Sequence, residues 1–198
     1  MGGQQRWTMT MAACAAALAL AGCGGDANND SASPPDSQPT PAPPVEAGQP
    51  AITNNVAVDG RNWINYRRGQ AGVPTVTQNG QLDTAAQGHS DWQRRNNKVS
   101  HEQTAGTTGF TGITVRDRLT AAGYTFSGSF AYGEVIAATT NRNGGEMVDE
   151  LITAIFHRFV IFEPVFKEVG TGAATGGNTT GATAGALAGR ASSPICCC

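Results

Sequence analysis

Apolar positions follow helical spacing in the middle of the chain and lose that spacing toward both ends. Residues 81–97 form the clearest predicted amphipathic helix, and shorter helices are predicted at 63–68, after the capping pair Thr114 and Asp117, and over 147–155. A buried strand is predicted over 134–140, and the apolar run 160–166 predicts a second strand that continues to Val169. Helices that alternate with few strands indicate an α+β domain, a three-layer α/β/α sandwich.

Residues 1–22 have the pattern of a secretion signal. The apolar, alanine-rich stretch 7–21 suits a signal-peptide core and is too short to cross a bilayer. It ends in Leu-Ala-Gly-Cys, which resembles the lipobox of bacterial lipoproteins. That resemblance implies a lipid-modified Cys23, and the Gly24 that follows implies the outer membrane of a Gram-negative bacterium. A plain secretory peptide is the alternative.

Residues 23–50 predict a lipidated cysteine followed by a disordered spacer. Seven of the ten prolines lie between 34 and 50, and large apolar side chains are almost absent, so the segment cannot bury a core. Proline keeps such a chain semi-extended. A spacer of this kind would let an anchored domain, expected over residues 51–172, stand away from its membrane.

Residues 173–198 form a tail rich in Gly, Ala and Thr. After residue 181 the large aliphatic side chains are Leu187 and Ile195, and Gly and Ala are poor strand formers. The composition therefore predicts a disordered tail and a sandwich without its last strand. Two explanations are open: a natural variant that closes its sheet otherwise, or a reading frame broken after about Gly181, which would leave an unstable, oligomer-prone domain.

Charge and cysteine content exclude several classes of protein. Residues 51–172 carry 11 basic and 11 acidic side chains, a balance that argues against a nucleic-acid partner. All five cysteines lie outside residues 24–195, so the domain is neither a disulfide scaffold nor a zinc-thiolate module.

Five segments, taken in order, resemble the bacterial branch of the CAP superfamily: cysteine-rich secretory proteins, antigen 5 and pathogenesis-related 1 proteins. They are INYRRGQAGVP, AAQGHSDWQRRNNKVSH, VRDRLTAAGY, GEVIA and FHRFVIFEPVFKEVGTG, and the resemblance extends over residues 62–172. Each segment is weak alone, and their order and spacing make the resemblance specific. It implies a three-layer sandwich of CAP type with a surface cleft lined by two histidines and one or two acids.

Carried over by motif, the implied cleft residues are His101, Glu134 and His157. In some family members such a set holds a divalent cation, and two imidazoles with one carboxylate would suit zinc and leave a position for water. The alternative is a hydrogen-bonded strut that joins the layers. Three departures from the family pattern count against catalysis: Val135 instead of an asparagine, Ala154 instead of a second acid, and Leu151 instead of a tryptophan.

Three further residues are predicted to lie around the cleft. His89 is expected as a core histidine behind the site, and Glu150 as a substitute acid one helical turn before Ala154. Arg158 is expected either to contact an anionic ligand or to form a salt bridge to Glu163 or Glu150.

Three functions are open, and binding ranks first. In that interpretation a lipid-anchored envelope protein holds a small apolar or peptidoglycan ligand in its cleft. A structural envelope protein with an idle cleft ranks second, and a metal-assisted hydrolase of peptide or peptidoglycan bonds ranks third. An enzyme is less favoured because the sequence contains no recognisable nucleophile with an activating base. Catalytic residues stay unassigned.

Overall fold

The computed structural model describes residues 45–176 in full and the backbone of residues 182–190. The helices within these residues are α1 (Val56–Gln70), α2 (Gly80–Asn96), α3 (Val115–Ala121), α4 (Gly144–Thr153) and α5 (Ile155–Phe162). The strands are β1 (Thr77–Gln78), β2 (Phe130–Ala138), β3 (Glu168–Ala174) and β4 (Ala182–Arg190). None of these helices has the length and apolarity that a bilayer crossing requires.

The strands form one sheet in the order β1-β3-β4-β2. β4 pairs antiparallel with β3 on one side and β2 on the other, and the two-residue β1 pairs parallel with β3. The prediction of a disordered tail and a missing last strand is therefore wrong for residues 182–190. Main-chain pairing along both edges of β4 outweighs the weak strand preference of Gly and Ala. Residues 177–181 and 191–198 lie outside the described residues, as do residues 1–44.

Helices cover both faces of the sheet, which confirms the predicted α/β/α sandwich. Successive residues of β2 point to opposite faces. The main core joins the sheet to α1, α4 and α5, and it includes Trp63, Ile64, Val135, Ala137, Met147, Val148, Leu151, Ile161 and Val169. A smaller cluster on the other face joins α2 to α3 through Leu82, Ala85 and Leu119.

Helix α2 lies against β3 at unusually close range because two glycines of that strand have no side chain. A Cβ atom on Gly170 or Gly172 would lie 2.1 or 2.2 Å from backbone atoms of α2. Side chains of α2 also bond backbone amides along the outer edge of β3. Asp83 accepts a hydrogen bond from the Thr171 amide (2.8 Å), and Gln87 accepts one from the Ala173 amide (3.1 Å). Satisfying these edge amides leaves fewer groups that could pair with another chain.

The segment 160–166 begins as the end of a helix, not as the predicted strand. Arg158 donates to the carbonyl oxygens of Ile152 (2.7 Å) and Thr153 (3.2 Å), at the end of α4. The buried Arg68 donates to the carbonyl oxygens of Ile161 and Glu163, where α5 ends. Cations at these two helix C-termini satisfy carbonyls that have no partner within the helix.

The folded domain extends beyond the predicted limits of 51 and 172 on both sides. The Glu46 carboxylate accepts hydrogen bonds from the Tyr66 hydroxyl (2.7 Å) and from Arg67 (2.9 Å), so residues predicted as spacer lie fixed on α1. Arg67 also makes a bidentate contact to Asp149 of α4. Helix α1 begins at Val56, earlier than predicted, because the Asn55 side chain accepts a hydrogen bond from the Val58 amide.

Candidate functional site

Glu134 lies at the centre of the site, on the face of β2 that is covered by α2 and α3. Its side chain is only 3% exposed. One carboxylate oxygen accepts a hydrogen bond from Arg118 at 2.6 Å, and the other accepts one from His101 Nδ1 at 2.9 Å. A buried carboxylate is stable when it is paired and hydrogen-bonded in this way.

Arg118 of α3 ties the buried carboxylate to the backbone that carries the cleft histidine. Its Nη1 donates to the carbonyl oxygens of His101 (2.8 Å) and Ile113 (3.1 Å), while Nη2 binds Glu134. Arg118 belongs to the segment VRDRLTAAGY, and the sequence predicted no role for it in the site. The sequence does contain a sign of this role. Arg118 and Leu119 follow Val115 at i+3 and i+4, so the charged Arg118 lies on the apolar face of the helix.

His101 is the part of this group that reaches solvent. Its side chain is 56% exposed. Because Glu134 is an acceptor, Nδ1 carries the proton, and Nε2 remains as the second hydrogen-bonding position of the ring. The hydrogen bond to Glu134 raises the pKa of the His101 imidazole, against a smaller opposing effect of burial. The result is an oriented imidazole that keeps its proton to a higher pH than a free imidazole does.

His89 lies behind the site, fully buried on α2. The Gln103 side-chain nitrogen donates to His89 Nδ1 at 3.0 Å. The Gln103 side-chain oxygen accepts a hydrogen bond from the Thr111 backbone amide, which fixes the orientation of the Gln103 side chain. His89 Nε2 must then carry the proton, and it donates to the Ser100 carbonyl at 2.8 Å. Burial lowers the pKa of His89 to about 4, although Nε2 is 3.8 Å from Glu134. Neutral His89 therefore holds the loop that carries His101.

The predicted metal-ligand set is not assembled. Within residues 45–176, no group of three or more His, Cys, Asp and Glu side chains is placed to hold a metal ion. His157 lies on α5, with a buried Nδ1 that has no hydrogen-bond partner. Both oxygens of Glu134 are taken by Arg118 and His101. The guanidinium thus supplies the positive charge that a zinc ion would supply, and the residues present do not fit the ion.

The remaining predicted residues lie apart from the His101–Glu134 pair. Glu150 is exposed on α4. Arg158 binds the carbonyls at the end of α4, and these two hydrogen bonds replace the predicted salt bridge to Glu163 or Glu150. Cys23, the predicted lipidation site, lies outside the described residues.

The sequence profile of the cysteine-rich secretory protein family, CAP, matches residues 61–187. This match covers more than half of the chain and extends past Gly181 into β4. The chain therefore belongs to the CAP family. No curated protein matches it in sequence.

Three solved bacterial structures share the fold. An extracellular protein with an SCP domain from Bacillus anthracis is 21% identical with a TM-score of 0.58; the match covers 75% of this chain and 45% of that protein. An outer surface protein from Borrelia burgdorferi is 14% identical with a TM-score of 0.54, over 66% of this chain and 90% of that one. A cysteine-rich secretory protein from Staphylococcus aureus is 12% identical with a TM-score of 0.50, and the match covers 69% of this chain and 38% of that one. The chain thus spans less than half of the Bacillus anthracis protein, and these likenesses concern the fold.

Proposed function

We propose that this chain is a cell-envelope CAP-domain protein that binds a carboxylate-bearing cell-wall peptide at His101. The observation that carries the proposal is an exposed imidazole whose Nδ1 is fixed 2.9 Å from a buried glutamate. The extracellular and outer-surface names of two structural neighbours support the location. The signal-like leader and the lipobox-like sequence before Cys23 support attachment to the outer membrane.

Electrostatics favours an anionic ligand over an apolar one at this position. The opposite charges of Arg118 and Glu134 compensate each other below the surface. The proton on His101 therefore decides the net charge that a ligand meets, and the raised pKa of His101 favours the positive form. A carboxylate that accepts a hydrogen bond from Nε2 would gain a charge-assisted contact, whereas an apolar group would cover polar atoms without partners.

His101→Ala is expected to weaken peptide binding about tenfold or more, the effect of losing one hydrogen bond to a charged group. The measurement is calorimetric titration of the detergent-solubilised full chain with the stem tripeptide alanyl-γ-glutamyl-diaminopimelate at pH 6 and pH 8. Binding by the wild-type chain should be tighter at pH 6. His101→Gln, which can still donate to Glu134 but cannot become charged, should lose the pH dependence.

Glu102→Ala is the neighbouring control, because this side chain is exposed and the loss of its negative charge should not weaken the binding of an anion. Equal affinities for wild type and His101→Ala would refute a ligand at His101. Absence of tripeptide binding at either pH would leave a structural envelope protein as the better description.

A second candidate, hydrolysis, is favoured by one feature of the same geometry. A carboxylate that orients Nδ1–H of an imidazole leaves Nε2 placed as a general base for water. Incubating purified peptidoglycan sacculi with the full chain tests this directly. New soluble fragments that His101→Ala does not release would make the site catalytic, and a chelator arm would reveal any dependence on metal.

The lipid anchor has its own test. Cys23 should carry an acylated N-terminus in the membrane fraction, because the preceding Leu-Ala-Gly sequence fits a lipoprotein cleavage site. Intact-mass analysis should then show a chain that begins at Cys23 with the mass of two or three acyl chains, the number that stable anchoring needs. Cys23→Ser should release the protein from membranes. An unmodified Cys23 in that fraction would contradict the proposal.

A further inference from the structure

A cavity of about 430 Å³ lies between the start of α2, the segment that leads into β2, and the start of β3. We call it the aromatic cavity. Its walls include Tyr124, Phe126, Phe130, Asn79, Lys167 and Glu168. His101, Glu134 and Arg118 do not line it, so it is separate from the histidine site. Its volume is in the range of small-molecule sites.

One wall of the cavity is a cluster of aromatic rings. The ring centroids of Phe126 and Phe130 are 4.6 Å apart, and those of Tyr124 and Phe126 are 5.2 Å apart. The Arg116 guanidinium lies 5.7 Å from the Phe126 ring centroid and 5.3 Å from that of Phe130. Since this cation already interacts with both rings, a second cation would be repelled from them. The cluster therefore favours a neutral or acidic group with a flat apolar face.

The rest of the lining includes polar side chains that are held in place. Glu168 accepts hydrogen bonds from the Tyr124 hydroxyl (2.6 Å) and the Asn79 amide (2.8 Å). Burial, followed by the hydrogen bond to Glu168, raises the pKa of Tyr124, so the phenol stays protonated. Lys167 is exposed, and its ammonium group contacts only the Pro164 carbonyl at 3.2 Å among the described residues. It has hydrogen-bonding capacity to spare.

We propose that the aromatic cavity binds one sugar ring of a glycan. A pyranose has an apolar C–H face that packs on aromatic rings and an edge of hydroxyl groups that can pair with Lys167, Glu168 and the Asn79 amide. A sterol, or the hydrocarbon chain of a fatty acid whose carboxylate paired with Lys167, would cover Glu168 and the Asn79 amide without giving them hydrogen bonds, at a cost in free energy. The proposal does not depend on any ligand at His101.

Phe130→Leu tests the ring contact, since leucine keeps an apolar side chain but removes the aromatic face. Calorimetric titration of the full chain with chitotetraose, a β-1,4-linked N-acetylglucosamine tetramer, is expected to show binding that Phe130→Leu weakens about tenfold. Phe159→Leu is the matched control: it makes the same change at a phenyl ring that is 69% exposed on α5 and does not line the cavity. It should bind chitotetraose like the wild type.

A second variant guards against misfolding of the first. Lys167→Met changes an exposed side chain and should weaken binding several-fold with an unchanged thermal transition. Equal chitotetraose affinity in wild type, Phe130→Leu and Lys167→Met would overturn the proposal. So would binding of oleate in place of the sugar, with the same loss in Phe130→Leu, because it would identify a lipid site.

His101→Ala separates this proposal from the previous one. It should leave chitotetraose binding unchanged, whereas Phe130→Leu should leave binding of the stem tripeptide unchanged. Loss of sugar binding in His101→Ala would place the sugar at the histidine and refute the aromatic cavity as its site.

Discussion

Arg118→Met is expected to lower the free energy of unfolding by about 3–5 kcal/mol, the range for removing one partner of a buried ion pair. The Arg118 side chain is 1% exposed and that of Glu134 is 3% exposed. Without the guanidinium, a negative charge stays in the core with one hydrogen bond from His101. The carbonyls of His101 and Ile113 also lose their donor. Urea denaturation of the full chain at pH 7 measures the change.

Two further variants show whether the buried charge is the cause. Arg142→Met makes the same substitution at an exposed position and should change the unfolding free energy by less than about 0.5 kcal/mol. The double variant Arg118→Met with Glu134→Gln removes both charges and should recover part of the loss. If the double variant is less stable than Arg118→Met alone, uncompensated charge is not the explanation.

Most of the fold could be predicted from periodicity and caps, because those signals are local. The amphipathic pattern over 81–97 corresponds to α2, and the Thr114–Asp117 pair forms a complete capping box at the start of α3. The order of the five motifs indicated the family, which the profile match confirms. The predicted three layers follow from that order.

Strand β4 could not be predicted because its pairing is not local. Its sequence, ATAGALAGR, has a single β-branched residue, Thr183, and no alternation of large apolar and polar side chains, so composition alone favours a loop. Pairing with nine residues of β2 and seven of β3 decides its structure instead. The predicted strand over 160–166 was wrong for a similar reason. Arg158 and the distant Arg68 hold α5 in place through hydrogen bonds that a sequence pattern does not show.

Part of the site could be predicted, but its chemistry could not. The motifs gave His101 and Glu134, which lie in contact, and His157, which does not complete a metal-ligand set with them. The family resemblance implied a His–Glu–His set that holds a divalent cation in some members, and these residue types are compatible with zinc. The buried Arg118 changes the outcome, because a guanidinium 2.6 Å from the carboxylate already supplies its counter-charge. Gln103 was missed as well, since nothing in a polar loop marks the residue that will be buried against His89.

The second large effect is a loss of folding stability as the pH is lowered. His89 is fully buried, and its pKa falls from the ordinary 6.5 to about 4 in the folded state. Between these values the unfolded chain binds a proton that the folded chain does not. Stability must therefore fall as the pH is lowered from about 6.5 to 4, by about 3 kcal/mol in total. Desolvation of the ring is the main cause, and the Arg118 and His101 charges act in the same direction, while Glu134 opposes them.

Comparing His89→Gln with the wild type isolates this contribution from the carboxylates that also titrate in this range. The variant can keep a donor toward the Ser100 carbonyl but cannot be protonated, so its unfolding free energy should fall less steeply between pH 6.5 and 4. His101→Gln should instead differ from the wild type above about pH 6.5. The raised pKa of His101 makes its contribution fully present below about pH 6.5 and lost as the pH rises through the folded-state pKa. Removing it should therefore leave the slope below about pH 6.5 nearly unchanged and abolish this loss of stability above that pH. Parallel curves for wild type and His89→Gln would mean that the buried ring takes up its proton as readily as an exposed one, which the burial of His89 and the hydrogen bonds at both ring nitrogens argue against.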